Sequence, residues 1–198
     1  MFQFDQEQHR YTLGDRRLRS VTEILDDNRL INKSGYNETV RSRGSAVHAA
    51  IALELRGKSY DIDPDLIGYV KSALRFLGQP GLTVLDFEVP AYHPLYLYAG
   101  TRDIRYTLQG FEWIGDWKTG GPAKWHRYQT GAYDLLAPQI KKMRRRCGIY
   151  LEADGSMPKS TEHPDASDAQ YFLAFNASTQ GRVIYGQTKE EEYENVID

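Results

Sequence analysis

The sequence predicts an α/β domain in which a mixed central β-sheet is flanked by helices. Stretches rich in aromatic and β-branched residues alternate with stretches whose apolar residues recur at helical spacing. The length of 198 residues is enough for one domain with a substantial core. Strands are expected at residues 83–89, 101–108, 111–118 and 147–151, and residues 1–198 are expected to form a single domain.

The composition is that of an ordinary globular protein, with 40% hydrophobic and 26% charged residues. The net charge of −2 excludes a chain that binds nucleic acid through overall basic charge, so any DNA contact must come from local patches. The single cysteine, Cys147, excludes an internal disulfide and a four-cysteine metal or iron–sulfur site. Neither a membrane-spanning run nor a signal-peptide pattern is found, so a cytoplasmic location without a membrane partner is expected.

The N-terminal part of the chain is predicted to form a hairpin followed by three helices. The hairpin covers about residues 2–19, and its four arginines either contact DNA phosphate or stay solvated on a sheet edge. Ser20 and Glu23 form the capping-box pattern that opens the first, short helix. Two further helices are expected at about residues 37–56 and 64–77.

The two central strands are predicted to form a hairpin that turns at Gln109 and Gly110. In that register Asp103 and Asp116 lie directly across from each other and share one face of the sheet. Lys118 shares the same face because it lies two residues beyond Asp116. A register shifted by one residue would remove Asp103 from this face.

Two adjacent carboxylates repel each other unless a positive charge joins them. A hard divalent cation does this better than a lysine alone, because Mg²⁺ and Mn²⁺ prefer carboxylate oxygen. The alternative is an exposed, solvated Asp-Asp-Lys cluster on an ordinary hairpin. The pattern therefore indicates a candidate metal site, with Mg²⁺ or Mn²⁺ as the expected cation.

Polar residues on two predicted helices accompany this hairpin. A helix is expected over residues 124–136, where Gln129 and Tyr133 are neighbours on one face because they are four residues apart. Upstream, Gly44 and His48 are one turn apart on another predicted helix. His48 lies beside an apolar stripe, so it is either a packed core histidine or a metal ligand.

These patterns resemble the core of the PD-(D/E)XK nucleases of the RecB and phage-exonuclease type. Each motif is weak alone, but their order and spacing, with strands before and a helix after, are specific. The resemblance covers roughly residues 41–155 and implies a catalytic core of about residues 37–155 with a restriction-endonuclease-like fold. The motifs are Gly44-x-x-x-His48, Gly100-x-x-Asp103, Asp116-x-Lys118 and Gln129-x-x-x-Tyr133.

The resemblance implies metal-dependent hydrolysis of DNA phosphodiester bonds. Asp103 and Asp116 would bind one or two Mg²⁺ ions, together with the backbone carbonyl of Trp117. His48 would be a further metal ligand. Lys118 would orient or deprotonate the attacking water, or stabilise developing negative charge.

Further residues are expected to support this chemistry. Glu88, near the end of a strand, either joins the metal or water network or is a surface carboxylate. Gln129 and Tyr133 would brace the site or hydrogen-bond the DNA backbone. Arg41 and Arg43 flank the histidine motif and could meet phosphate. None of these residues reads bases, so sequence specificity is not implied.

The most specific activity that the resemblance implies is that of a phage-type exonuclease in DNA recombination or repair. DNA is then the expected partner, a single-strand annealing or recombination protein is a further one, and an oligomer is compatible with the sequence. One alternative is a non-catalytic DNA-binding or recombination-partner module on the same fold, although a pure binder has little use for a paired carboxylate cluster. Another is a hydrolase of small phosphoesters, which the basic tracts disfavour.

Some expectations lie outside the motifs. Arg102 precedes Asp103, where an apolar residue is common in the family, so it either pairs with a carboxylate or marks an open face. The basic run at residues 141–146 either favours a helix end, is solvated, or lines a DNA channel. Residues 156–167 are expected to form a polar loop and residues 189–198 an acidic tail.

Overall fold

A computed structural model describes residues 1–31, 38–140 and 143–184. Within these ranges the predicted fold class is confirmed, because one mixed sheet of eight strands is flanked by five α-helices. None of the helices described is long and apolar enough to cross a membrane. The elements are β1 (Phe2–Asp5), β2 (Arg10–Leu13), β3 (Arg16–Ser20), α1 (Val21–Asp27), α2 (Glu38–Leu55), α3 (Ile67–Leu77), β4 (Thr83–Tyr92), β5 (Tyr98–Leu108), β6 (Phe111–Lys118), α4 (His126–Leu136), β7 (Arg145–Tyr150), β8 (Lys159–Glu162) and α5 (Ser167–Ile184).

The strand order is β1-β2-β3-β5-β6-β7-β8, and β4 pairs with β5. The β3–β5 and β6–β7 pairs are parallel, and the other pairs are antiparallel. Because β4 covers one edge of β5 from Ala99 to Thr107, β3 and β6 must share the other edge. There β3 pairs with Tyr98 and Ala99, and β6 pairs from Ile104 onward. Residues 100–103 of β5 therefore face a gap between β3 and β6, and this gap positions the candidate site.

Helices cover both faces of the sheet. On one face α2 and α3 pack through Val47, Ile51 and Phe76 against sheet residues such as Trp117 and Ile149. On the other face α1, α4 and α5 pack together and against β5 and β6 through a second cluster. The members of that cluster include Val21, Ile24, Leu25, Tyr98, Ile114, Ala132, Tyr133 and Phe172.

The central hairpin forms in the predicted register. Its turn is at Gln109 and Gly110, whose φ angles of 52° and 78° are both positive. Pairing then proceeds from the turn until Ile104 lies opposite Gly115. The ladder thus ends one pair before the two aspartates that the register brings together.

The N-terminal hairpin predicted over residues 2–19 is a three-stranded meander of β1, β2 and β3. The predicted capping box is confirmed, because Glu23 N donates to Ser20 Oγ at 3.1 Å and Ser20 N donates to Glu23 Oε2 at 2.7 Å. Glu23 also pairs with Arg17, which lies 2.5 Å away, so part of the charge of this meander is neutralised within the protein.

Arg102 pairs with a carboxylate, which is one of the two alternatives expected from the sequence; the other was an open face of the sheet. Its side chain is buried, lies 3.6 Å from Asp86 Oδ1, and donates a hydrogen bond of 2.9 Å to the carbonyl of Leu136. It therefore points toward α4, away from the side of β5 on which Asp103 meets α2.

The C-terminal part corrects two expectations. Residues 156–167 are not all loop, because they contain β8, an edge strand whose four residues are exposed and show no apolar alternation. The proposal that the basic run lines a DNA channel fails for Arg144 and Arg146, which are only 8% and 5% exposed. Arg144 pairs with Glu112 of β6 and with Asp134 of α4, and Arg146 pairs with Asp168 of α5, so both arginines link the sheet to a helix. Residues 141–142 and the acidic tail at 189–198 lie outside the described part of the chain.

Candidate metal centre

The candidate site lies where β5 and β6 separate. Asp103, on the β5 side of the gap, is only 6% exposed. Its Oδ2 atom accepts a hydrogen bond of 2.7 Å from the backbone N–H of Trp117 on β6. A carboxylate thus takes the place of a ladder bond, and the backbone of the neighbouring strand fixes its position.

His48, Glu88 and Asp103 form a cluster whose possible ligand atoms all lie within 4.8 Å of one another. His48 lies on α2, and its Nδ1 atom is 3.5 Å from Asp103 Oδ1 and 3.8 Å from Glu88 Oε1. His48 Nε2 lies 3.0 Å from the carbonyl oxygen of Trp117. Because a carbonyl only accepts, Nε2 carries a proton, and in the neutral ring Nδ1 presents its lone pair to both carboxylates. The ring is therefore oriented as a metal-binding histidine is.

Glu88 reaches this cluster through an unusual backbone conformation. Its φ angle of 48° lies in the left-handed region, which a glutamate seldom adopts. The residue interrupts the β4–β5 ladder between the pairs Phe87–Ile104 and Val89–Arg102, directly opposite Asp103. Such a conformation costs about 1–3 kcal/mol and is found mainly at functional sites. Of the two roles expected for Glu88, this geometry favours membership of the site.

Asp116 and Lys118 form a second unit beside the cluster. Asp116 is 1% exposed, and its carboxylate forms an ion pair with the Lys118 ammonium group. Its Oδ2 atom accepts no hydrogen bond of proper geometry within the described structure. Lys118 Nζ donates to Gln129 Oε1 at 2.8 Å, and Gln129 Nε2 donates to the Tyr133 hydroxyl at 3.1 Å. The predicted Gln129 and Tyr133 pair therefore braces the lysine.

Burial is the largest influence on the pKa values of these groups. It raises the pKa of Asp116 to about 7, against the effect of Lys118, and that of Glu88 to about 8, with repulsion from Asp103 adding to it. Burial alone would lower the pKa of His48, but the charges of Asp103 and Glu88 raise it to about 9.

The pKa of Asp103 is shifted in the opposite direction, below its usual value. Burial would raise its pKa, but His48, Lys118 and the N–H group of Trp117 together hold that pKa below its usual value. Near neutral pH Asp103 is thus ionised and Asp116 is partly ionised, while Glu88 and His48 retain protons that a cation would displace.

These residues can hold a divalent metal ion. One imidazole nitrogen and two carboxylates converge, and their ligand atoms are close enough together to share one cation. Asp116 Oδ2, which the Lys118 ammonium group contacts, adds a further carboxylate oxygen beside this donor set. The carbonyl of Trp117, which the resemblance assigns to the metal, contacts His48 in this structure.

Sequence reasoning missed other residues near the site. The Tyr11 hydroxyl of the N-terminal meander lies 2.9 Å from Thr101 Oγ1 across the gap. Burial, together with the charges of Glu88 and Asp103, raises the pKa of Tyr11 to about 12. Arg56, just after α2, lies over the Phe87 ring and favours the ionised form of Glu88. No local pattern could have identified these residues, because each contact joins distant parts of the chain.

Comparison of the chain with protein-family models finds no matching family, and comparison with curated proteins finds no match.

Proposed function

We propose that this protein is a divalent-metal-dependent nuclease that hydrolyses phosphodiester bonds in DNA. The observation that carries the proposal is the convergence of His48, Glu88 and Asp103 beside the Asp116–Lys118 ion pair. The order of these residues in the chain, with Gln129 and Tyr133 following on a helix, supports the same proposal.

In this proposal His48, Glu88 and Asp103 hold Mg²⁺ or Mn²⁺, and Asp116 lies beside them as a further carboxylate. A divalent cation bound there would lower the pKa of a water ligand and offset charge on the phosphate. The protein contributes orientation, because Trp117 fixes both Asp103 and His48 through its backbone atoms.

Lys118 is the residue that we assign to the attacking water and the developing negative charge. Its ammonium group is held between the Asp116 carboxylate and the Gln129 amide, and it lies 5.2 Å from the centre of the Trp125 ring. A positioned ammonium can orient a nucleophile or stabilise charge on the phosphate in the transition state. Tyr133 supports Gln129 and acts only through it.

The finer proposal is a phage-type exonuclease that acts in DNA recombination or repair, in the cytoplasm of the host cell if the gene is carried by a phage. The resemblance of the four motifs supports it. A protein of this kind would act on duplex ends, and a single-strand annealing or recombination protein would be its partner. Comparing linear with circular DNA tests this level of the proposal.

The primary experiment incubates the purified protein with linear and circular duplex DNA, in Mg²⁺, in Mn²⁺ and in EDTA. We expect Mg²⁺-dependent loss of linear DNA, with circular DNA spared if the activity is exonucleolytic. A protein that binds DNA but never cuts it with either cation is a binding module instead. A protein that hydrolyses only a small phosphodiester such as bis-p-nitrophenyl phosphate is a small-molecule hydrolase.

A further inference from the structure

Helix α2 contacts the end of β6 and places Arg43 against Thr119, the residue that follows Lys118. Arg43 Nε donates to Thr119 Oγ1 at 3.3 Å, and Arg43 Nη2 donates to the Thr119 carbonyl at 3.2 Å. Thr119 directly follows Lys118, and a Cβ atom at Gly44, one residue after Arg43, would lie 3.9 Å from Thr119 Oγ1. The guanidinium group is therefore oriented by the segment that carries the catalytic lysine.

The Arg43 guanidinium group has more N–H donors than Thr119 accepts. A guanidinium carries five N–H donors, and Thr119 takes two of them, so three are left to point elsewhere. Its Cζ atom also lies 5.6 Å from the centre of the Tyr69 ring, which supports the group from a second side. Among the described residues no carboxylate forms an ion pair with Arg43, whereas carboxylates do pair with many other arginines. Those arginines are Arg17, Arg19, Arg102, Arg105, Arg127, Arg144, Arg145 and Arg146.

The negative charge of the candidate site explains how a cation such as the Arg43 guanidinium group would help to bind a substrate. When a divalent cation has displaced the protons of the site, Glu88, Asp103 and Asp116 carry three negative charges against two on the cation, so an approaching phosphodiester is repelled unless further cations offset the excess. The Lys118 ammonium is already engaged by Asp116 and Gln129. Arg43 is a preorganised cation next to Lys118 that no described carboxylate neutralises, and a planar guanidinium matches two phosphate oxygens at once.

We infer that Arg43 binds a backbone phosphate of the DNA strand beside the metal centre. This inference rests on the proposed function and specifies it further: Arg43 sets the affinity for the substrate strand, and the metal cluster with Lys118 performs the chemistry. Arg43 is a binding residue here, so its loss raises KM and leaves the rate at saturating DNA largely unchanged.

The alternative is a purely structural role, in which Arg43 links α2 to Thr119 and stabilises the loop after β6. The two roles differ in a measurable way. Each phosphate contact releases counterions from DNA, so a phosphate-binding arginine contributes to the salt dependence of binding. An arginine with a purely structural role contributes to the stability of the fold and does not affect the salt dependence of DNA binding.

The test measures binding of a fluorescent duplex by Arg43→Gln at several salt concentrations with Mg²⁺, in an Asp116→Asn background that prevents cutting. We expect roughly tenfold weaker binding, as for loss of a charged hydrogen bond, and a salt slope lower by about 0.9. Arg43→Lys should keep the slope and recover part of the affinity. The matched control is Arg75→Gln on α3, which removes the same charge from an exposed position and should change neither quantity.

An unchanged dissociation constant and salt slope for Arg43→Gln would overturn the inference, as would a lower melting temperature with an unchanged slope. Single-turnover cleavage by Arg43→Gln in the otherwise unaltered protein gives a second readout. A large fall in the rate at saturating DNA, with KM unchanged, also contradicts a binding role. If the unaltered protein neither binds nor cuts DNA, the proposed function itself fails, and that result is distinct from a failure confined to Arg43.

Discussion

The backbone N–H of Trp117 donates a hydrogen bond of 2.7 Å to Asp103 Oδ2 at the point where β5 and β6 stop pairing. The carbonyl of the same residue lies 3.0 Å from His48 Nε2. One peptide segment of β6 therefore orients a carboxylate from β5 and an imidazole from α2. Substitutions that change the charge of these side chains and keep their size should alter chemistry and leave the fold intact.

Asp116→Asn should keep the fold and abolish Mg²⁺-dependent cleavage. Burial already raises the pKa of Asp116 to about 7, so a neutral amide of the same size fits this environment at little cost. Cleavage of linear duplex DNA and a thermal melt measure the two effects. Asp154→Asn, which changes an exposed loop carboxylate, is the control and should cut normally. Cleavage by Asp116→Asn near the unaltered rate would remove Asp116 from the mechanism.

His48→Ala should weaken both metal binding and cleavage, because it removes one of the three converging ligands. Titration calorimetry with Mn²⁺ measures the affinity, and a thermal melt in EDTA measures the stability of the metal-free protein. Loss of stability with unchanged Mn²⁺ affinity would instead make His48 a packing residue.

Lys118→Ala should leave DNA and metal binding nearly intact and lower the cleavage rate by at least the ~10²-fold typical of a general acid–base group. Lys118→Arg should rescue little, since the larger guanidinium does not reproduce the ammonium held between Asp116 and Gln129. Single-turnover cleavage beside a binding titration separates the two quantities. Reduced affinity with an unchanged rate in the bound complex would make Lys118 a phosphate contact only.

Metal affinity should rise as the pH increases from about 6 to 9. In the metal-free protein the pKa values of Asp116, Glu88 and His48 are raised to about 7, 8 and 9, so these groups keep protons that a cation must displace. Mn²⁺ binding should therefore release protons near neutral pH, and calorimetry in buffers of different ionisation enthalpy counts them. The Glu88→Gln variant should release fewer protons when Mn²⁺ binds, because the amide has no proton of this kind to lose. Binding without proton release would show that the cation lies elsewhere.

Gly100→Ala should destabilise the protein and disturb Tyr133. A Cβ atom at Gly100 would lie 2.9 Å from Tyr133 Cε1 and 3.0 Å from Val21 Cγ2. Overpacking of this kind typically costs about 1–3 kcal/mol. Urea denaturation measures the change, with Gly120→Ala as the control because no atom lies within 4 Å of an added Cβ there. Equal stability of the two variants would mean that β5 shifts to accept the methyl group.

Local sequence rules carried much of the prediction. The turn at Gln109 and Gly110 determines the hairpin register, so the strand positions near Asp103 followed from a few neighbouring residues. The capping box at Ser20 and Glu23 likewise depends on residues three positions apart. In each case the physical cause lies within a short stretch of chain.

The rest depended on contacts that no short stretch contains. The Tyr11–Thr101 and Arg43–Thr119 contacts join residues far apart in sequence. The left-handed conformation of Glu88 contradicts its residue preference and exists only because surrounding structure imposes it. Strand β8 has no buried face, so its sequence lacks the alternation that identifies a strand.

The gap along β5 also determines how short a working fragment can be. The catalytic core that the resemblance implies spans about residues 37–155, but one side of the gap is formed by β3, which pairs with Tyr98 and Ala99, and by α1, whose Val21 packs over Gly100. A truncation that starts at residue 37 would remove both elements and leave the edge of β5 bare, open to solvent and to strands of other molecules. We therefore expect the shortest stable unit to begin with the N-terminal meander, well before the first motif.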